Sequence, residues 1–344
     1  YTAGANRVVT IGVSGLKNAY ALRGEDLEDE YLDLACQLLF RPKLEKGVFT
    51  AEDVEIEKAK QADYLRSEMN DKRGYCLRQA RRKLFGASPL GIESSGYLED
   101  IAKLEGASVY NTYTDLLRSA QVEVFAVGGD GDKAAKKVLS FLAGINRAPE
   151  KVAYVGAIGG TGGFDHVEEP MDTVQGKLCI MCTSGQVAGA RDMAVMRVAG
   201  AIFGGLPTSR LFTNVREKKS LCYYCAASYA GYSGTLTIDS GVDHAKRELA
   251  AEAILHELDV MQRELVEEEE MTNAKTALKN AYTSAQDHPD ALESWAFNEM
   301  LRGTNLTIEE MDALVQSVTR EEVRAAMASF TPALQYAITG KEEN

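Results

Sequence analysis

The sequence predicts an α+β protein of two homologous domains, each an antiparallel sheet packed with helices, the first incomplete at its N-terminus. Three observations predict this. The 344 residues are about twice a usual single-domain length. Forty-five per cent of them are apolar and 26% charged, enough for a buried core and against a disordered chain. The third is an internal repeat in which the same order of elements recurs over about a hundred residues.

Each copy opens on a strand pattern, Arg7-Val-Val-Thr-Ile-Gly-Val-Ser-Gly in the first and Thr235-Leu-Thr-Ile-Asp-Ser-Gly in the second. An amphipathic helix follows. Leu27, Tyr31, Leu34, Leu38 and Leu39 share a face in the first copy, and Ile254, Leu258, Met261 and Leu265 in the second. A long helical stretch carrying Ala-Lys comes next, at Ala59-Lys60 and Ala274-Lys275. Two short helices follow, over residues 97–104 and 108–119, and over 308–315 and 319–330. Each copy closes on a strand ending in glycine, Val122-Glu-Val-Phe-Ala-Val-Gly-Gly and Leu334-Gln-Tyr-Ala-Ile-Thr-Gly.

The second half carries more before its repeat begins. Residues 173–233 read as a strand (177–184), a helix (190–203), a helix after Pro207 and a strand (220–229). The first half has only six residues before its matching strand, so it is expected to lack roughly sixty residues if the halves were built alike. Loss is the favoured explanation, because an isolated half-sheet exposes a pairing edge. The expected domains are therefore 1–150 and 173–344, joined over 151–172 by a Gly-rich linker ending in an acidic turn, Glu168-Glu-Pro170. Gly128-Gly-Asp-Gly-Asp-Lys133 sits where a phosphate loop would, but its aspartates suit helix capping better than anion binding.

The net charge of −13 argues against nucleic acid or an anionic lipid surface as partner. No apolar run approaches the ~18 residues of a membrane span, and no leader pattern opens the sequence, so the expected location is cytoplasmic. Six cysteines include two C-x-x-C pairs, Cys179/Cys182 and Cys222/Cys225. Both pairs lie in strand patterns, where residues i and i+3 face opposite sides, so reduced core thiols are expected rather than a zinc site. The histidines are His166, His244, His256 and His288. His256-Glu257 opens a metal-helix motif that fails at Val260, and no metal site can be completed from this sequence.

The most specific cluster is Gly204-Gly-Leu-Pro-Thr-Ser-Arg-Leu-Phe-Thr-Asn-Val-Arg-Glu-Lys-Lys-Ser-Leu-Cys-Tyr-Tyr224. It resembles the second domain of the pitrilysin/insulinase family of zinc metallopeptidases, which carries Gly-Gly, Ser-Arg-Leu-Phe, Val-Arg-Glu-Lys and Leu-x-Tyr in this order. The resemblance implies duplicated α+β domains and proteolysis as the family's chemistry. It implies that Arg216 and Tyr223 hold the substrate backbone opposite the zinc. A guanidinium and a phenol can both donate to a peptide carbonyl and stabilise its oxyanion. The alternative is that Arg216 pairs with a carboxylate such as Glu217 while Tyr223 fills core.

The family's His-x-x-Glu-His motif is absent from this sequence. Of the two glutamates its later helix carries, Glu57 matches the first, and the ligand position falls at Tyr64, a poor zinc ligand. Asp63 faces elsewhere, and a slip of one turn brings Glu57 or Glu68 into play. Three readings follow. The first is a non-catalytic subunit that binds extended peptide and supplies Arg216 and Tyr223 to a homo- or heterodimer with a zinc-bearing family member. The second is a zinc metalloendopeptidase, a hydrolase with zinc as cofactor, whose metal motif lies upstream. The third is a structural scaffold subunit without activity.

Overall fold

A computed structural model describes residues 2–4, 6–151 and 163–340. The chain forms two compact units. Unit 1 comprises Tyr1–Ser67, Ser94–Ala153 and Pro289–Phe297; unit 2 comprises Glu68–Glu93, Tyr154–His288 and Asn298–Asn344. In chain order the helices are α1 (Leu27–Phe40), α2 (Ala51–Ser67), α3 (Lys72–Phe85), α4 (Leu98–Ile101), α5 (Gly106–Ser119) and α6 (Gly131–Leu142). Then come α7 (Ala190–Gly200), α8 (Arg247–Arg263), α9 (Glu268–Ala285), α10 (Pro289–Arg302), α11 (Ile308–Gln316) and α12 (Arg320–Ala328). The strands are β1 (Thr2–Ala3), β2 (Asn6–Arg7), β3 (Asp165–Met171), β4 (Gly176–Thr183), β5 (Cys222–Ala230), β6 (Thr235–Val242) and β7 (Thr331–Gly340).

Unit 2 holds a five-stranded sheet in the order β3-β7-β4-β6-β5. The α+β architecture is as the sequence predicts, with one difference in detail: β3 runs parallel to β7, so the sheet is mixed. The segment read as an acidic turn, Glu168-Glu-Pro170, is part of β3. Proline is tolerated there because β3 is an edge strand. The glycines expected to form the linker fall within residues 152–162, outside the described residues.

Alternation along the central strands sorts the two faces. Leu178, Ile180, Leu236 and Ile238 are all but fully buried, and the β4–β6 register pairs Ile180 with Ile238 on one face. Helix α8 packs on this side through Ile254, Leu258 and Met261. The opposite face is covered by α3, whose buried side chains are Cys76, Ala80 and Phe85. Tyr75 of α3 donates to Glu169 at 2.9 Å, and Arg73 stacks over Tyr224 at 4.8 Å. A helix from the first half of the sequence thus belongs to the unit built mainly from the second.

Unit 1 is helical. Beyond the short β1–β2 pair, which takes in Arg7, residues 8–15 and 122–129 form no strand, although the runs 7–15 and 122–129 were both expected to. Val9 is 66% exposed and Val122, Val124 and Val127 are about 40% exposed. A strand pattern supplies one buried face but no hydrogen-bond partner, and without a neighbouring strand it has no ladder to join. The turn at Gly128 behaves as read from the sequence: the Asp130 carboxylate accepts from the Lys133 amide at 3.0 Å and caps α6.

Candidate functional site

The Gly-Gly to Tyr-Tyr cluster folds as two π-helical turns, Ala201–Gly205 and Leu211–Lys218, leading into β5. Its first glycine has a packing reason. A Cβ on Gly204 would lie 2.6 Å from the Ala227 amide nitrogen, so only glycine lets this turn approach β5. Leu211 and Val215, four apart, are completely buried and anchor the second segment.

The polar residues of this segment lie one turn apart and meet the neighbouring helices. Arg210 binds both carboxylate oxygens of Glu270 at 2.7 Å. Asn214 donates to Glu257 at 2.9 Å and accepts from Lys218 at 3.0 Å. Burial pushes the Glu270 carboxyl up, but the Arg210 fork and the Glu267 amide outweigh it and hold it below the ordinary carboxylate range. Arg210 of the Ser-Arg-Leu-Phe run is therefore a structural tie, and so is Glu257 of the failed metal-helix motif.

Arg216 and Tyr223 stand on either side of the turn that joins this segment to β5. A backbone bond from the Leu221 amide to the Val215 carbonyl, 3.2 Å, closes that turn. The Arg216 guanidinium lies over the Phe212 ring at 4.5 Å, and among the described residues no carboxylate pairs with it. The charge of Arg216 also acts on the thiol of Cys222. Tyr223 does not fill core: it is 54% exposed and donates to the Asp243 carboxylate at 2.7 Å. That hydrogen bond raises the Tyr223 hydroxyl above its ordinary value, so it stays a proton donor at neutral pH. Asp243 was not found by sequence reasoning. The signal is the hairpin register: Cys222 pairs with Val242, so Tyr223 and Asp243 flank that pair diagonally, within reach of the long tyrosine side chain.

The strand argument about the cysteines holds for one pair and fails for the other. Cys179 pairs with Asp239 and Cys182 with Leu236, so those thiols face opposite sides. In β5 a bulge intervenes, for Cys222 pairs with Val242 and Tyr224 with Gly241, leaving Tyr223 as the extra residue. Cys222 and Cys225 then oppose Val242 and Ser240, two apart on β6, and share a face.

The residues of α2 do not fit a zinc site. Glu57 is paired with Lys60 at 2.6 Å, Asp63 with Arg66 at 3.0 Å, and Tyr64 is exposed. Glu68 follows the helix and pairs with Arg78 at 3.7 Å. No histidine occurs in the sequence before His166. Among the described residues, no three His, Cys, Asp or Glu side chains come together as a metal would need. His244 is structural: its Nδ1 accepts from the Gly340 amide at 2.9 Å, and its Nε2 lies 3.1 Å from the Thr173 carbonyl oxygen. Among the described residues, no helix is long and apolar enough to cross a membrane.

A helix-backed mixed sheet with this Gly-Gly/Arg/Tyr turn defines a peptidase-like domain. The profile of the peptidase M16 inactive domain matches residues 103–278, and the chain belongs to that family, the group in which the pitrilysin/insulinase peptidases fall. The chain is 24% identical over 344 residues to a Bacillus subtilis (strain 168) protein described as "probable inactive metalloprotease YmfF", covering 98% of this chain and 80% of that one. It is 26% identical over 245 residues to the "uncharacterized zinc protease YmxG" of the same organism, covering 70% of this chain and 58% of that one. Its fold is similar to the crystal structure of a conserved protein from Enterococcus faecalis V583, with TM-score 0.84 and 28% identity over 95% of this chain and 77% of that one.

Proposed function

We propose that this chain acts as a non-catalytic M16 subunit that binds extended peptide and presents Arg216 and Tyr223 to a substrate held at the zinc of a partner. The partner is a zinc-bearing family member, in a homo- or heterodimer located in the cytoplasm. The observation that carries this reading is the state of the two side chains. Arg216 has no carboxylate partner among the described residues, and the Tyr223 side chain is exposed at a bulge on the edge strand β5, its hydroxyl held by Asp243. An edge strand can add an extended peptide through main-chain hydrogen bonds. The Arg216 guanidinium beside that edge suits a carbonyl oxygen gaining negative charge, and the Tyr223 hydroxyl becomes a second donor when its proton turns from Asp243 to the substrate. The poor fit of Glu57, Asp63 and Tyr64 to zinc, and the description of the Bacillus subtilis relative as inactive, support a partner as the source of the metal.

The test mixes the chain with a zinc-bearing M16 subunit of the same source and follows cleavage of a fluorogenic peptide. Arg216→Ala and Tyr223→Phe are each expected to lower turnover by about 10²-fold, the cost of one lost oxyanion donor. Unchanged turnover with both variants contradicts the proposal and favours a scaffold role.

A further inference from the structure

The bulge at Tyr223 does more than expose a tyrosine. It places two thiols, Cys222 and Cys225, side by side on one face of an edge strand. Cys225 is 5% exposed, and Cys222, the first residue of the strand, is half-buried. The residue two before it, Ser220, has a left-handed backbone with φ 51°, so the strand end begins from a turn rather than from a paired segment. The two thiols are close enough to act on each other's ionisation, and the Arg216 guanidinium adds positive charge nearby.

From this geometry we infer that Cys222 and Cys225 form a redox-active dithiol, which small-molecule disulfides of the glutathione type oxidise to an intrastrand disulfide. Cys222 is the attacking thiol, being the accessible one, and Cys225 is the resolving thiol. The chemistry balances as two exchanges. The Cys222 thiolate attacks one sulfur of glutathione disulfide, forming a mixed disulfide and releasing one glutathione thiolate. The Cys225 thiol, giving its proton to solvent, attacks the Cys222 sulfur and releases the second glutathione thiolate. Protonation of the two thiolates completes two glutathione molecules, and the protein loses two hydrogens. The new bond draws the start of β5 toward Cys225 and fixes the bulge that carries Tyr223.

Charge and burial agree with these roles. The neighbouring Cys225 thiol, with help from the Ser240 hydroxyl and the Arg216 charge, outweighs burial and brings the Cys222 thiol down to about 7. The other five thiols are all pushed up. Cys225 is raised by its bond to Cys222 and by burial, Cys36 and Cys179 by burial, and Cys76 and Cys182 by burial to about 12. The Cys179/Cys182 pair has the same spacing but lies on opposite faces of the central strand, so it provides an internal control.

The experiment incubates the folded chain with glutathione disulfide, blocks free thiols, and maps the products by peptide mass spectrometry. The expected product is a Cys222–Cys225 disulfide, reversed by dithiothreitol, with Cys179 and Cys182 still free. In a Cys225→Ser chain the reaction stops as a glutathione adduct on Cys222. Because that variant could disturb the strand, a second measurement uses the unaltered protein: the rate of Cys222 alkylation by iodoacetamide against pH. Its midpoint is expected near 7, about one and a half units below an unperturbed thiol. No Cys222–Cys225 bond in the oxidised chain, or an alkylation midpoint at or above the ordinary thiol range, overturns the inference.

Discussion

Helices α1 and α8 occupy corresponding places in the internal repeat and carry the same kind of apolar stripe, yet they meet different surroundings. In α8, Ile254, Leu258 and Met261 are at most 2% exposed, pressed toward β4. In α1, Leu34 and Leu38 are 52% and 61% exposed. The strand patterns differ in the same way. In unit 2, β6 and β7 do not pair with each other; β4 lies between them and bonds to both. The first half has sequence counterparts of β6 and β7, residues 7–15 and 122–129, but no described counterpart of β4. Apart from Arg7 at the end of β2, neither segment forms a strand. In unit 2 the central strand β4 joins β6 and β7 into one sheet, and that sheet is the floor on which α8 packs. Periodicity announces a buried face, and a partner has to exist to bury it.

The comparison can be broken by paired substitutions. Leu258→Ala removes a side chain from a closed core and is expected to cost about 3 kcal/mol in urea unfolding followed by circular dichroism. Leu38→Ala, at a matching stripe position of α1, is expected to stay within about 0.5 kcal/mol. Equal costs would mean that the α1 face is as closed as that of α8, and the contrast between the two helices would fall.

A smaller effect tests Arg210 of the Ser-Arg-Leu-Phe run as a structural tie. Glu270→Gln removes the partner of the half-buried Arg210 fork and is expected to cost about 2 kcal/mol at neutral pH. The sign of the pH dependence follows from the lowered Glu270 carboxyl. Its contribution is complete above the unfolded-state value of 4.5 and is lost as pH falls through the lower folded-state value. The difference in stability between the unaltered chain and Glu270→Gln should therefore shrink on acidification below about 4.5. A constant difference down to pH 3 would show that the ion pair is not its source.

Much of unit 2 was legible in the sequence. The runs at 177–184, 220–229 and 235–241 read as strands, the helix stripes have the right period, and Asp130 caps α6 as its turn predicts. What escaped depends on pairing rather than pattern. Pro170 in β3 reads as a turn residue, because nothing local says that the strand is an edge. The bulge at Tyr223 reverses the facing of Cys222 relative to Cys225, and only the register against β6 reveals it. The Asp243 partner of Tyr223 is twenty residues away along the chain and adjacent only through that same hairpin. Of the candidate site, sequence picked out Arg216 and Tyr223 but gave no account of what held them.

Peptide affinity of the chain alone tests the central claim most directly, because it requires neither the partner nor the metal. Titrating an extended, fluorescently labelled peptide of the kind cleaved in the mixed assay should show saturable binding. Arg216→Ala and Tyr223→Phe should each weaken it by about tenfold, as expected for one hydrogen bond with charge or a phenol on one side. Saturable binding that neither substitution changes, or no binding at all by the unaltered chain, would contradict the role assigned to Arg216 and Tyr223.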